Sequence, residues 1–432
     1  MDGKRGYLCS RKTRRTVRAL ICPVRVVYVN PVGVLGGAEF SLLDILSAVG
    51  DARLDLERHL IAGTEGPLAD RARDLGVRVH PLPMPSGMST LGDSAMSGGS
   101  PLLSMLTFAA RSAPGASQAY FYARRLRRLL NRLSPDIVHS NGIKTHCLLS
   151  LAKPEGVPVI WHIRDFPSSR ALMSKALRWA STGAASAIAI SEAVRRDAMK
   201  VMGPVPVETV YNAIDVARFS PGAADGSWLD REAGLPPAGP GGLRVGLVAT
   251  YARWKGQLLF LEAAARLAAQ RPDLPVRYFI VGGPIYHTVG SQFSVAELTA
   301  RIASLGLAER AGLIPFQMEP ASIYRALDVV VHASTKPEPF GRTIVEAMAC
   351  GRPVVISRDG GAVELFTEDY DAVSFNPGDP QSLAAAIEGL ATDPARRLRI
   401  AHAARGSAVD RFSRPRLGRE ILAVYDRLVA QT

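Results

Sequence analysis

Twice along this chain, short apolar runs rich in β-branched residues alternate with longer stretches of helical character. The first series is RVVYVN (Arg25–Asn30), ERHLIAG, VRVHPL, DIVHS, VPVIWHI and SAIAIS. The second is LRVGLVAT (Leu243–Thr250), VRYFIVGG, AGLIPF, LDVVVHAS, RPVVIS and DAVSFNP. Helical segments such as AEFSLLDILSAV and GQLLFLEAAARLAAQ separate most of them. That rhythm is the signature of parallel βαβ units with helices on both faces of a sheet. At 432 residues the chain is also too long for one ordinary core. The expected fold class is therefore α/β, with two doubly wound, Rossmann-like domains, residues 25–215 and 243–415, facing each other across a cleft. Between them PGAADGSWLDREAGLPPAGPGG, in the 216–242 segment, has the Gly, Pro and Ala content of a linker. A last helix, within 416–432, could lie on either domain. Ligands of open parallel sheets bind outside the carboxyl ends of the strands, so the residues to inspect are those that follow strands at the cleft.

Composition narrows the class. Apolar residues make up 47% of the chain, as in globular proteins, and no run approaches the roughly 20 apolar residues of a membrane span. Four cysteines without a C-x-x-C pair suggest neither a disulfide framework nor a zinc site, and fit a reducing cytoplasm. Net charge is +13, of which residues 1–18 contribute +6. Arg18 interrupts the apolar piece that follows, so residues 1–24 read as a disordered basic arm and not a signal peptide. A basic surface suits nucleic acid, anionic lipid or a phosphorylated substrate, but no RNA-recognition, helix-turn-helix or zinc motif is present, and no nucleic-acid partner is expected. Residues 83–118, rich in Ser, Gly and Met, read as a long loop holding a short helix. AYFYARRLRRLLNRLS, with Arg124, Arg125, Arg127, Arg128 and Arg132, then reads as an amphipathic helix. It is either a solvated face or a peripheral contact with an anionic membrane or a phosphorylated acceptor.

The richest stretch is STKPEPFGRTIVEAMACGRPVV, from Ser334 to Val355. LDVVVHAS before it reads as a strand, so TKPEPFG is the loop leaving its carboxyl end, and a helix starts near Gly341 or Arg342. Glu338 then sits in the cleft loop and Glu346 about one turn into the helix. Free N–H groups of Gly341, Arg342 and Thr343 would carry the positive end of the helix dipole to that loop, where a phosphate binds well. Carboxylates on either side would accept hydrogen bonds from polyols. A phosphate flanked by two polyols describes a nucleotide-sugar.

These residues resemble the E-x7-E signature of retaining, nucleotide-sugar-dependent glycosyltransferases of family 4, whose fold is GT-B. The resemblance runs along nearly the whole chain from Arg25. It implies that Glu338 holds the sugar, Glu346 the ribose, and Phe340, Gly341, Arg342 and Thr343 the donor. GGAEFSLLD resembles the family's glycine loop, with Gly36 and Gly37 approaching the donor phosphates. WHIRDFP supplies a histidine, His162, near the transferred sugar. In VATYARWKGQ, Lys255 matches the lysine that meets the diphosphate. The family pattern has an arginine five residues before that lysine. Thr250 stands there, and Arg253 is the nearest substitute. FIVGGP brings Gly282, and RDGGAVEL brings Gly360 and Gly361, close to the donor, with Glu364 supporting that loop. Asn212 and Asp215 read as structural. The literal D-x-D, Asp369-Tyr370-Asp371, lies in a turn, and no metal or other cofactor is expected beyond the nucleoside-diphosphate sugar as co-substrate. The implied reaction is retaining transfer to the hydroxyl of a glycan or lipid-linked acceptor, in cell-envelope or exopolysaccharide assembly. Two other readings share the architecture: a nucleotide-sugar epimerase and a catalytically inactive binding homologue.

Overall fold

The structure, a computed structural model, describes residues 23–85, 101–169, 171–239, 241–284 and 290–431. In the first half, strands β1 (Arg25–Asn30), β2 (Glu57–Ala62), β3 (Arg78–Pro81), β4 (Ile137–Asn141), β5 (Val159–Ile163), β6 (Ser186–Ala189) and β7 (Val207–Thr209) alternate with helices. The helices are α1 (Gly37–Ala52), α2 (Pro67–Asp74), α3 (Pro101–Leu133), α4 (Ile143–Ala152), α5 (Ala171–Ser181) and α6 (Glu192–Met202). The short helix α7 (Ser227–Glu232) precedes the second half, with β8 (Leu243–Val248), α8 (Gln257–Gln270), β9 (Val276–Val281), α9 (Val295–Ser304), β10 (Ala311–Ile314), α10 (Pro320–Ala326) and β11 (Val329–His332). Then come α11 (Arg342–Ala349), β12 (Val354–Ser357), β13 (Val373–Phe375), α12 (Pro380–Thr392), α13 (Pro394–Phe412) and α14 (Arg414–Ala430).

All strand pairs are parallel, in the orders β3-β2-β1-β4-β5-β6-β7 and β10-β9-β8-β11-β12-β13. In each sheet the winding reverses once, between β1 and β4 and between β8 and β11, which opens a crevice at the carboxyl ends of those strands. The inner strands are short and apolar because helices cover both faces: Val26, Val27, Tyr28, Ile137, Val138, Ile160, Val329 and Val355 are all fully buried.

Two features depart from the expected organisation, and a third decides between the two places open to the last helix. The segment 216–242 is docked, not a free tether. Asp230 in α7 is 2% exposed and pairs with Arg244 at 2.6 Å and Arg277 at 3.5 Å, fastening the helix to the second sheet. The Ser/Gly/Met stretch expected as a loop enters helix at Pro101, in one continuous α3 that runs to Leu133; residues 86–100 and the basic arm through residue 22 lie outside the described residues. Finally, α14 returns to the first domain and packs along α1. A side chain at Gly418 would come within 2.4 Å of the Ala48 carbonyl oxygen, so two helices meet there backbone to backbone. Tyr425 of α14 reaches the first sheet, 2.7 Å from His139 Nδ1 and 3.0 Å from the Tyr28 hydroxyl. The outgoing and returning crossings touch: the Ile214 N–H donates to the Phe412 carbonyl at 2.9 Å. Among the described residues no helix is long and apolar enough to cross a membrane.

Candidate active site

The crevice of the second sheet lies between the loops that follow β8 and β11, and these loops carry Lys255 and Glu338. Lys255 Nζ donates to Glu338 Oε2 at 2.7 Å and sits 3.9 Å from the Trp254 ring centroid. His332 Nε2 at 3.0 Å and Ser334 Oγ at 3.0 Å reach the same oxygen. Burial alone would raise the Glu338 carboxyl. The Lys255 ammonium and the His332 bond outweigh it and hold the group well below the ordinary carboxylate range. Glu338 is thus a fixed, ionised acceptor.

Gly341 turns the chain from this loop into α11 with φ +94°, a left-handed conformation that glycine adopts without strain. Arg342 opens the helix, as expected, and Glu346 follows on its second turn. The first N–H groups of such a helix have no intrahelical acceptor.

Other assignments change on inspection of the geometry. Phe340 is buried, edge-to-face on Phe412 with centroids 5.9 Å apart, so it anchors the loop to the core. Arg342 reaches over to the first domain. It bonds Asp44 of α1 at 2.5 Å, Glu346 at 2.7 Å and the Ala213 carbonyl at 3.4 Å, while Asp44 also takes Arg414 at 2.8 Å. Glu346 accepts from the Tyr324 hydroxyl at 2.9 Å as well, and burial raises its carboxyl despite the arginine. Arg253 points away. Its guanidinium pairs with Glu297 at 2.7 Å, bonds the Gly290 carbonyl and stacks on Phe293.

The glycines shape loops more than they offer N–H groups. Gly36 donates to Glu39 at 3.1 Å, Gly282 to the Ile314 carbonyl at 2.9 Å and Gly361 to the Glu338 carbonyl at 2.6 Å. Gly361 also lies where the second domain presses on the first: a side chain there would meet Ser191 Oγ at 2.6 Å. Space around Gly37 is open. Thr343 is half-buried on the first turn of α11. Glu364, expected to support its loop, reaches across to the first domain instead. It accepts the N–H groups of Glu192 and Ala193 at 2.7 Å each, capping α6 of the opposite domain, and takes the Tyr211 hydroxyl at 3.0 Å.

The wall contributed by the first domain is built differently. His162 lies within β5, 1% exposed, with Nδ1 3.1 Å from His139 Nε2. Burial, with Arg164 beside it, keeps its pKa well below the ordinary value; burial brings His139 and His146 to about 3. All three imidazoles are neutral near pH 7. At the strand's carboxyl end stands Arg164, hydrogen-bonded to the Asn141 and Asn212 side-chain oxygens. Asn141 also donates to Asn30 at 2.6 Å, so the ends of β1, β4 and β5 are tied together. Sequence reasoning passed over Arg164, although it directly follows a strand. Asp369 pairs with Arg396 at 2.7 Å and Asp371 accepts the Thr367 N–H at 2.6 Å, so both acids of the D-x-D have local structural partners.

Two family models match the chain, one on each side of the hinge: Glycosyltransferase Family 4 over residues 35–218 and Glycosyl transferases group 1 over residues 240–407. The chain belongs to the family 4 type of glycosyltransferases. A curated relative, D-inositol 3-phosphate glycosyltransferase of Salinispora arenicola, is 33% identical over 52% of this chain and 51% of its own length. The enzyme of the same name from Corynebacterium urealyticum is 31% identical over 51% of each chain. The chain thus spans about half the length of the curated relatives it matches. This family 4 chain also shares its whole architecture with Anabaena HepE, solved with UDP and glucose: TM-score 0.73, 25% identity, 93% of this chain and 99% of that one. HepE has also been solved with UDP-glucose, with TM-score 0.74. Sucrose-phosphate synthase of Thermosynechococcus elongatus, 16% identical with TM-score 0.72, shares the fold.

Proposed function

We propose that this protein transfers a glycosyl group from a nucleoside-diphosphate sugar to an acceptor hydroxyl, retaining the anomeric configuration. The observation that carries the reading is the Lys255–Glu338 pair at 2.7 Å in the crevice of the second sheet, beside the amino end of α11. Glu338 Oε1, which none of the three groups on Oε2 touches, is the oxygen that would take sugar hydroxyls. Lys255 and the α11 dipole would offset the charge that grows on the departing diphosphate as the anomeric carbon gains oxocarbenium character. Glu346 would exchange or share its present partners for the ribose diol. No protein nucleophile is assigned. Because His162 is neutral and weakly basic in its burial, it orients by hydrogen bonding, and the acceptor proton goes to the leaving phosphate. The reading routes no step through a metal ion.

Uridine nucleotides are the first donors to try, since HepE was solved with UDP-glucose. In a thermal-shift panel of UDP, GDP, ADP and their sugars, one base should raise the melting temperature with both its diphosphate and its sugar. Release of that diphosphate on adding acceptor, with an unchanged sugar epimer, separates transfer from epimerisation and from an inactive homologue. No shift with any nucleotide overturns the proposal.

For the acceptor we propose a glycan or lipid-linked glycan of the cell envelope, met on the cytoplasmic side of an anionic membrane. The supporting surface is α3, where Tyr120 and Phe121 are exposed beside Arg124, Arg125 and Arg128. Co-sedimentation with phosphatidylglycerol vesicles should be lost on changing these three arginines to glutamate. Equal sedimentation would remove the membrane from the reading.

A further inference from the structure

Three of the cations near the cleft are committed to carboxylates. Lys255 pairs with Glu338, Arg342 with Asp44 and Glu346, and Arg253 with Glu297. Arg164 differs. Its Nε and Nη1 donate to the side-chain oxygens of Asn141 and Asn212, both neutral amides, so its hydrogen-bond partners carry no charge, although Glu39 and Asp44 attract it through space. Its Nη2 is shut off from solvent and has no hydrogen-bond partner, and the same holds for the neighbouring His162 Nε2. A buried guanidinium N–H left unmatched costs the fold its desolvation without return. The fold nevertheless constructs a rigid seat for it. Asn141 is itself held by Asn30 at 2.6 Å, and Asn212 belongs to the hinge. The guanidinium is therefore fixed by the ends of β1 and β4 and by the crossing segment, with one donor nitrogen left over.

Arg164 follows β5 at its carboxyl end and is one of the residues lining a largely apolar cavity of about 110 Å³, with Ala38 of the glycine loop, Gly142, His146, Trp161 and the acidic Asp165. Burial, with repulsion from Arg342 at the start of α11, pulls Arg164 down to about 10, against the attraction of Glu39 and Asp44. It stays protonated at neutral pH and lies within electrostatic range of the amino end of α11. A fixed guanidinium with no carboxylate in hydrogen-bond contact and a spare N–H binds an oxyanion far better than a neutral hydroxyl.

We infer that Arg164 Nη2 is a phosphate-oxygen ligand contributed by the first domain. The phosphate comes either from the donor's diphosphate or from a phosphate on the acceptor. The inference deepens the proposed transfer reaction and rests on it for the first source. In that case the diphosphate would be held from both sides, by Lys255 and α11 on one domain and Arg164 on the other. Nucleotide binding would then draw the domains together.

Calorimetry on the full chain tests this with pyrophosphate, UDP, uridine, and inorganic phosphate added to UDP-saturated protein. With the donor as source, Arg164→Gln should weaken pyrophosphate and UDP at least tenfold and leave uridine unchanged. With the acceptor as source, UDP affinity stays as in wild type and the inorganic phosphate bound on top of UDP is lost. Wild-type affinity of Arg164→Gln for all three phosphate probes overturns the inference. So does a wild type that binds none of them. Pyrophosphate binding that depends on Arg164, in a wild type that ignores every nucleotide, keeps the inference and overturns the donor reading. If Arg164→Gln unfolds, Arg164→Lys reads the same difference, because an ammonium cannot span both amides and still present a third donor; at least threefold weakening is expected, and unchanged affinity counts against the assignment.

Discussion

The two walls of the cleft solve the same problem with opposite chemistry. The second domain sets charges against each other: Lys255 on Glu338, Arg342 on Glu346 and Asp44. The first domain sets mostly neutral groups around Arg164: His139, His146 and His162 uncharged, and Asn30, Asn141 and Asn212 as amides, with the Glu39 and Asp44 carboxylates of α1 acting on it through space. A paired wall keeps its groups ionised and in place before any ligand arrives. A wall of neutral donors and acceptors suits hydroxyls and carries little electrostatic cost when closed from water. On the proposed reading, the difference teaches that donor chemistry and acceptor orientation can be tuned on separate scaffolds, each at the switch point of its own sheet.

The contrast can be broken at several points. The largest effect is expected from Lys255→Ala, which should lower kcat/KM by about two decades, or about 3 kcal/mol of transition-state stabilisation. Steady-state kinetics showing near-normal turnover would strip the charged wall of its role. Next, Glu364→Ala removes the cap from α6 and a contact between the domains. It should cost about 2 kcal/mol in urea unfolding and increase the radius of gyration in X-ray scattering. Unchanged values for both would mean that the domains are held elsewhere.

Acid separates the walls. The folded state keeps His139 and His146 near about 3, while the unfolded chain protonates them around 6.5. Below 6.5 the unfolded state binds more protons, so stability declines as pH falls from 6.5 toward 3, and the contribution is complete above 6.5. Each histidine adds a slope of up to about 1.4 kcal/mol per pH unit. Glu338, held low, gives up its share as the pH falls through the ordinary carboxylate range and below it. The histidine wall should thus fail first, and His139→Gln should flatten the dependence of unfolding free energy on pH between 4 and 6 by one such slope. A parallel curve would contradict the burial argument. The smallest effect is expected at Arg253. Its ion pair is exposed, so Arg253→Ala should cost under about 1 kcal/mol of stability and change kcat/KM less than about threefold. A two-decade loss would return it to the catalytic set.

Much of this was legible because it is local. Twelve strands were readable as short apolar runs, and the loop-to-helix turn at Gly341 followed from the strand before it. Only Val207–Thr209, three residues with two polar ones, gave no pattern to read. What sequence could not deliver is pairing at a distance. Asp44 and Arg342 are 298 positions apart, and nothing near either names the other. The amphipathic face of α14 announces burial without saying on which domain. His162 is assigned from the resemblance of WHIRDFP, which says nothing of its 3.1 Å contact with His139 or of the amide pair that seats Arg164 two residues on. Gly36, expected to offer its N–H, spends it on the Glu39 carboxylate, a contact that composition does not record.

The return of α14 to the first domain has a practical consequence for dissection. Cutting the chain after the first crossing would yield a fragment whose α1 lacks its covering helix and whose Tyr28 and His139 lose Tyr425. The amino-terminal half is discontinuous in sequence. An autonomous version would have to carry residues 414–430 grafted on by a designed connection, and a proteolytic nick near Ser413 would loosen the half of the molecule that lies farthest away in the chain.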